Sequence, residues 1–242
     1  MKHWKGFLAT VLSLVFVTSE WAMEGFLGLL FPGASPVLYP LATPLRLFMQ
    51  HASLSVGASL ASAMTGFAFG IYAYYGKSTV RTLVLEAGAL VQTLPPVAVL
   101  ALLVPLLGFG NKPVFVALAL YGILPVINGT VAGLSSVPRD AIDAARGLGM
   151  KKVQTFFRIE LPLALPSIAA GVRTSVVINV GTAAIGATMG AGGFGRAIMS
   201  GLVQFKTSYV VQGALAATAM ALALDWILAT IEHRLAKGRL EN

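Results

Sequence analysis

Six predominantly apolar stretches, at residues 6–31, 52–75, 83–107, 113–134, 163–189 and 209–231, account for most of the chain. Each is near the roughly 17–25 residues that a helix needs to cross a bilayer. In hydrocarbon every backbone N–H and C=O must pair within the protein. The pattern predicts an all-α membrane protein of about six transmembrane helices, a bundle and not a barrel. Composition agrees, with 57% hydrophobic and 11% charged residues and a mean hydropathy of +0.82, against about 25% charged residues in a soluble chain. Pro95, Pro96, Pro105 and Pro125 fall inside these stretches. Neighbouring helices can re-satisfy the backbone groups that they free, so kinked helices are expected.

The first stretch carries Glu20 and Glu24 and begins like a signal peptide, with Lys2 and Lys5 before an apolar run. The segment Val17-Thr18-Ser19-Glu20-Trp21 is a poor cleavage site, and apolar character resumes to Phe31, which favours a retained anchor. The expected organisation is an N-terminal anchor with an external loop (1–51), a transmembrane domain (52–233) and a basic tail (234–242).

Lysine and arginine are retained on the cytoplasmic side of short connections. One side holds twelve: Lys2, Lys5, Lys77, Arg81, Arg139, Arg146, Lys151, Lys152, Arg158, Arg234, Lys237 and Arg239. The other holds four, Arg46, Lys112, Arg196 and Lys206, while Arg173 sits inside the fifth stretch. Both termini are therefore expected in the cytoplasm. The net charge of +8 does not indicate nucleic acid, because the basic residues form no run or aromatic-interleaved patch. There is no cysteine, hence no disulfide, thiolate metal site or thiol nucleophile.

The densest basic connection, residues 136–162, reads SSVPRDAIDAARGLGMKKVQTFFRIELP with its first serine at 135. Ser136 is a candidate helix cap, with Pro138 in the first turn. Gly149 can take the left-handed conformation that stops a helix. Between them Ala141, Ala144, Ala145 and Leu148 recur at helical spacing as one narrow apolar stripe. A second short helix over 151–159 would offer Val153, Phe156 and Phe157, and Pro162 would end it. Two readings fit this composition: an amphipathic loop lying on lipid headgroups, or a helix-turn-helix knob that fits a cleft on a soluble partner.

The spacing Asp143-Ala144-Ala145, Gly149 six residues after the aspartate, then Ile159, Leu161 and Pro162 resembles the EAA loop of the membrane subunits of ABC importers. That loop docks on the ATP-hydrolysing subunit. Asp143 stands where the family has glutamate, keeping the charge with one methylene less. From about Ser53 to Ile231, the segments QTLPP at 92–96, LALYGILPVINGTVAGL and AGVRTSVVINVGTAAIGATMGAGGFG look like the osmoprotectant branch, which imports glycine betaine, choline and related compounds. The extra N-terminal stretch and the Thr-Leu-Pro-Pro form are similar to the Yeh-type permeases. A methionine-type or other amino-acid permease is the alternative within the same class. The resemblance implies a permease subunit of the bacterial inner membrane that binds no cofactor itself. ATP and magnesium would sit on an ATP-binding cassette partner. A second permease copy or homologous permease and an extracytoplasmic substrate-binding protein would complete the assembly.

Two nucleotide-like patterns are decoys. Gly190-Ala191-Gly192-Gly193-Phe194-Gly195 satisfies G-x-G-x-x-G but follows an apolar helix, with no strand in a βαβ unit. Gly76-Lys77-Ser78-Thr79 resembles the end of a phosphate-binding loop but has Ile71 where the first glycine is required. The family resemblance instead places Gly190, Gly192, Gly193 and Gly195 at the external end of the translocation path, as a gate. His3, His51 and His233 have no metal-ligand spacing and read as interfacial. No serine elbow or His/Asp arrangement supports an enzyme. An ATP-independent channel or secondary transporter would carry paired broken helices in an internal repeat, and no convincing repeat is found.

Polar groups at membrane depth usually face the bundle interior or a water-filled path. Among Glu86, Gln92, Thr130, Arg173, Asp225 and their neighbours, Thr93, Asn128, Asn179 and Thr182 are expected to line the path. Interhelical hydrogen bonding is the competing role for each. Glu86, Arg173 and Asp225 lie near span ends, where an ion pair or snorkelling also serves.

Overall fold

The computed structural model describes residues 2–237. The end of the expected basic tail, with Arg239, lies outside the described residues, as do the side chains of Lys2, His3 and Lys5. In chain order the helices are α1 (Lys2–Thr18), α2 (Glu20–Leu30), α3 (Pro44–Tyr75), α4 (Ser78–Thr93), α5 (Pro96–Leu107) and α6 (Asn111–Ser135). They continue with α7 (Arg139–Gly147), α8 (Lys152–Thr155), α9 (Leu161–Ala183), α10 (Gly195–Val203) and α11 (Thr207–Lys237). A π-helical turn, Phe156–Glu160, joins α8 to α9, and a 3₁₀ turn, Ala184–Met189, extends α9. The described residues contain no strand.

Four helical stretches are long and apolar enough to span a bilayer: Pro44–Tyr75, Asn111–Ser135, Lys152–Met189 and Thr207–Lys237. The other two expected spans are broken. Gly6–Thr18 and Glu20–Leu30 meet at 80°, and Ser78–Thr93 and Pro96–Leu107 at 96°. Each break has a local cause. Ser19 leaves the helical region at ψ 115° and its hydroxyl accepts from the Ala22 N–H, which starts a new helix. Glu20 and Glu24 are exposed on this crossing helix and need not lie along a straight path through hydrocarbon. In the second pair, Pro95 forces Leu94 into extended backbone (φ −74°, ψ 136°), and Pro96 opens the next helix where its missing N–H costs nothing. Pro105, Pro125 and Pro166 are accommodated within helices. The second span begins upstream of residue 52, because Thr43 caps α3 at the Arg46 N–H and Pro44 occupies its first turn.

Helices α3, α6 and α9 pack on one another at the centre. Helix α11 covers α9, α1 covers α11, and the α4–α5 pair lies against α6. The α6–α9 crossing is close because both helices present glycine. A methyl group on Gly129 would lie 2.6 Å from the Ser167 carbonyl oxygen, and one on Gly171 would lie 2.5 Å from that of Pro125. Such small-residue contacts let backbones approach where lipid supplies no hydrophobic drive between helices. The N-terminal pair is part of the same body: Val17, Met23 and Leu27 share a buried cluster with Leu47, Val180, Phe194 and Met220.

Candidate functional site

The loop at 136–162 differs from the sequence expectation at its start and matches it at its turn. Ser136 ends α6 instead of starting α7: its hydroxyl and N–H both bond back into the last turn of α6. Helix α7 begins after Pro138, with Asp140 in its first turn and Arg146 in its last, both favourable to the helix dipole. Its C-terminus is a Schellman cap. The Met150 N–H reaches the Ala145 carbonyl (3.1 Å) and the Gly149 N–H that of Arg146 (2.9 Å), with Gly149 left-handed at φ +78°.

The expected alanine stripe is divided between two faces. Ala145 is 2% exposed and points into the bundle, whereas Leu148 is 79% exposed and Ala144 lies beside it on the outer face. The outer face thus carries Asp140, Asp143, Ala144, Gly147 and Leu148, a low relief with acidic residues toward one end. Asp143 pairs with Arg146 at 3.5 Å while both remain solvent-facing, a pair worth little by itself.

After the cap the chain does not stop at Pro162. Lys152–Met189 is one helical stretch of 38 residues, with Pro162 in the first turn of α9. Proline lacks an N–H and its ring collides with the carbonyl four residues before it. The wider π turn, in which the Leu161 N–H bonds the Phe156 carbonyl, accommodates it. Ile159 and Leu161 are half-buried, Leu161 against the cluster of Leu134, Ala164 and Ile168, and Pro162 is exposed. Val153 and Phe157 are exposed as expected, but Phe156 packs inward.

Sequence reasoning passed over Glu160. It is 6% exposed and accepts a hydrogen bond from the Tyr75 hydroxyl, tying the root of the loop to the end of α3. Beside this pair, Ile71, Met150, Val153, Phe156 and Phe157 line a groove of about 470 Å³. The signal was present in the sequence as a carboxylate directly ahead of an apolar span.

The four residues expected along the path do not come together on one surface. Asn179 is 0% exposed inside the α3–α6–α9 core, where its amide donates to Ser59 Oγ (3.0 Å). Gly122 sits opposite: a methyl group there would lie 2.4 Å from both Ser62 Oγ and Ser175 Oγ. Asn128 is exposed on α6, Thr93 is exposed at the end of α4 with its hydroxyl on the Leu90 carbonyl, and Thr182 is half-buried near the end of α9. Gln92 donates to the Tyr121 carbonyl (3.1 Å) and the Tyr121 hydroxyl donates to the Leu94 carbonyl, which pins the α4–α5 break to α6. Arg173 forms an ion-paired clamp between α9 and α11: Nε and Nη2 reach the two oxygens of Asp225 (2.6 and 2.9 Å), and Nη1 reaches Glu232 (3.3 Å). Glu86 is exposed.

At the far end of α9, Gly190 and Gly193 are left-handed (φ +81° and +93°) and Gly192, Gly193 and Gly195 are buried. His51, read from sequence as interfacial, is instead 0% exposed beneath this turn. On α3, His51 and Tyr75 are separated by about 36 Å at 1.5 Å per residue, so the glycine turn and the 136–162 loop mark opposite ends of the bundle.

A helical bundle with a capped, solvent-facing helix at one end and a glycine turn at the other is the architecture of a multi-span membrane protein. The chain belongs to the family of binding-protein-dependent transport system inner membrane components, which its residues 66–237 match; it is a permease subunit of an ABC importer. It is 32% identical over 193 residues, 80% of this chain and 88% of the relative, to the choline transport system permease protein OpuBB of Bacillus subtilis (strain 168). The glycine betaine/carnitine/choline transport system permease protein OpuCB of the same organism is 37% identical over 153 residues, 63% of this chain and 70% of the relative. In fold it is similar to a chain of the inward-facing MetNI methionine ABC transporter, with a TM-score of 0.72, 16% identity, and coverage of 79% of this chain and 95% of that one.

Proposed function

We propose that this chain is half of a permease pair that imports quaternary ammonium osmoprotectants such as glycine betaine or choline, driven by ATP-binding subunits that grip α7. The observation that carries this reading is the outer face of α7, Asp140 to Leu148, held out by the Schellman cap at Gly149. Asp143, Ala144, Ala145, Gly149, Ile159, Leu161 and Pro162 form the coupling loop: the first two and Gly149 meet the partner, Ala145, Ile159 and Leu161 root the loop in the bundle, and Pro162 stands exposed in the first turn of α9. ATP and magnesium are bound by that partner, a separate ATP-binding cassette subunit.

Motion imposed on α7 has two routes into the membrane. One passes through Glu160 to Tyr75 and α3. The other is the unbroken Lys152–Met189 helix, which ends at the glycine turn. A helix of this length, about 57 Å at 1.5 Å per residue, exceeds the hydrocarbon core and works as a lever between the two ends. With the coupling loop and both termini in the cytoplasm, the glycine turn becomes the external gate. An extracytoplasmic binding protein delivers cargo there, and a second permease, identical or homologous, forms the other wall. Thr93 and Asn128, both exposed, contribute polar contacts to the path, Thr182 borders it, and Asn179 holds the wall behind it.

The substrate class rests on the choline and glycine betaine relatives. A compact quaternary ammonium group, its charge dispersed over methyl groups, passes along weak polar contacts without a buried carboxylate, which would slow its release. Vesicles holding the complex, with ATP inside and binding protein outside, should take up labelled glycine betaine or choline and stop when either is omitted. Uptake of methionine alone would move the protein to the amino-acid branch, and uptake without ATP would contradict the importer reading.

A further inference from the structure

The glycine turn is held by two separate parts of the bundle. From α3, Gln50 Oε1 accepts the Gly193 N–H (3.1 Å). From the start of α6, Asn111 Oδ1 accepts the Gly192 N–H (3.3 Å), and the Gly110 N–H donates to the Met189 carbonyl (2.7 Å). Beneath them lies His51. A methyl group on Gly193 would sit 2.9 Å from His51 Nδ1 and 3.0 Å from its Cα, and one on Gly192 would sit 2.6 Å from Gln50 Oε1. The backbone of the turn therefore rests directly on these side chains. Phe194 adds a ring contact to His51, with centroids 4.8 Å apart and planes tilted by 34°.

The imidazole is fixed from the other side as well. Its Nε2 lies 2.9 Å from the Val180 carbonyl, which can only accept, so Nε2 carries the proton and Nδ1 of the neutral ring is a bare acceptor. Just beyond Val180, α9 gives way to a 3₁₀ turn at Ala184, whose N–H is directed to the Thr182 carbonyl. His51 thus bonds α9 where the lever changes pitch and touches the turn that follows. Its Nδ1 is buried against Gly193 and has no hydrogen-bond partner among the described residues.

We propose that His51 and Gln50 are positioning residues of the external gate: together they form a seat from which the 190–195 turn must lift when the lever moves. The inference rests on the importer reading above. Every contact in the seat is individually weak. Two backbone N–H bonds to side-chain amides, the Gly110 N–H bond to the Met189 carbonyl and one ring contact hold the turn, and among the described residues no ion pair crosses it. Lifting the turn exposes Nδ1 and the two glycine N–H groups to solvent, where water satisfies all three. The seat so favours a closed gate without making it irreversible, and the Val180 bond links its release to the end of α9.

The test uses the assembled complex in vesicles. His51→Phe keeps a ring and loses the donor to Val180; Gln50→Ala removes the clasp on Gly193; His51→Gln retains an N–H donor. ATP turnover without binding protein is expected to rise at least threefold in His51→Phe and Gln50→Ala, and to return toward the parent value in His51→Gln. Spin labels at Met49→Cys, next to Gln50, and Leu202→Cys, on the α10 helix that follows the turn, both exposed in a chain with no native cysteine, report movement of that segment relative to α3. A single distance is expected at rest, with a second, longer population when the ATPase is trapped by ATP and vanadate. A complex that transports with an unchanging label distance, or whose basal turnover is unaltered in both variants, overturns the seat as a gating element. A complex that assembles and takes up no solute contradicts the importer reading instead.

Discussion

Gly149 is the position where the proposed coupling can be separated from folding. It is left-handed (φ +78°), and a methyl group there would meet no atom within 4 Å. Substitution by alanine therefore introduces backbone strain and no clash. That strain is about 1–2 kcal/mol, equivalent to a roughly 5–30-fold loss in population of the capped turn. Asparagine visits the left-handed region more readily and should retain most of the cap. Leucine combines the strain with a bulky side chain next to Leu148 on the proposed docking face. Because the turn is exposed, all three variants should insert and accumulate normally. Co-purification of the ATP-binding subunit and ATP-driven uptake should both fall in the order parent, Asn, Ala, Leu. Parent-like behaviour of both Ala and Leu would make 136–162 a lipid-surface element, and an asparagine variant as impaired as leucine would remove the cap from the explanation.

Asn179→Leu should lower the apparent melting temperature in detergent, since it removes the bond to Ser59 in a packed core at a cost of about 1–3 kcal/mol, whereas Asn128→Leu on the exposed face should leave it unchanged; equal melting of the two would contradict the core placement of Asn179. Tyr75→Phe strips the buried Glu160 carboxylate of its donor and should reduce both melting temperature and uptake, with Glu160→Gln in the same background restoring much of the loss because a neutral amide tolerates burial better. Reporter fusions after Gly76, Lys152 and Lys237 should read cytoplasm, and those after Lys112 and Gln204 the outside. An outside signal at Lys152 would reverse the orientation.

The spans and the Gly149 turn were legible because each depends on a local rule, apolar length in one case and a left-handed backbone in the other. The broken spans were not. Pro95 and Pro96 announce a disturbance, but a 96° turn also requires somewhere for freed carbonyls to go, here the hydroxyl of Tyr121 on another helix. Ser19 is one hydroxyl in an apolar run, and its effect comes from a capping bond that periodicity does not register. The alanine stripe misled for a related reason: alanine is small enough to face either way, and Ala144 is exposed while Ala145 is buried. His51 looked unremarkable because its partners, Val180, Gly193 and Phe194, lie far along the chain. Asn179 and Asn128 look alike as polar residues in apolar helices, and only the packing of α3 on α9 distinguishes them.

The central claim is that α7 takes its motion from an ATP-hydrolysing partner. Because the chain contains no cysteine, Ala144→Cys provides a single chemical handle on the exposed face of α7. A short photo-activated cross-linker at that position, in native membranes, should capture an ATP-binding subunit, with a yield that changes between nucleotide-free and vanadate-trapped states. Ala145→Cys, which points into the bundle, should capture none. Equal capture from the two positions, or capture of lipid alone from Ala144, would contradict the account.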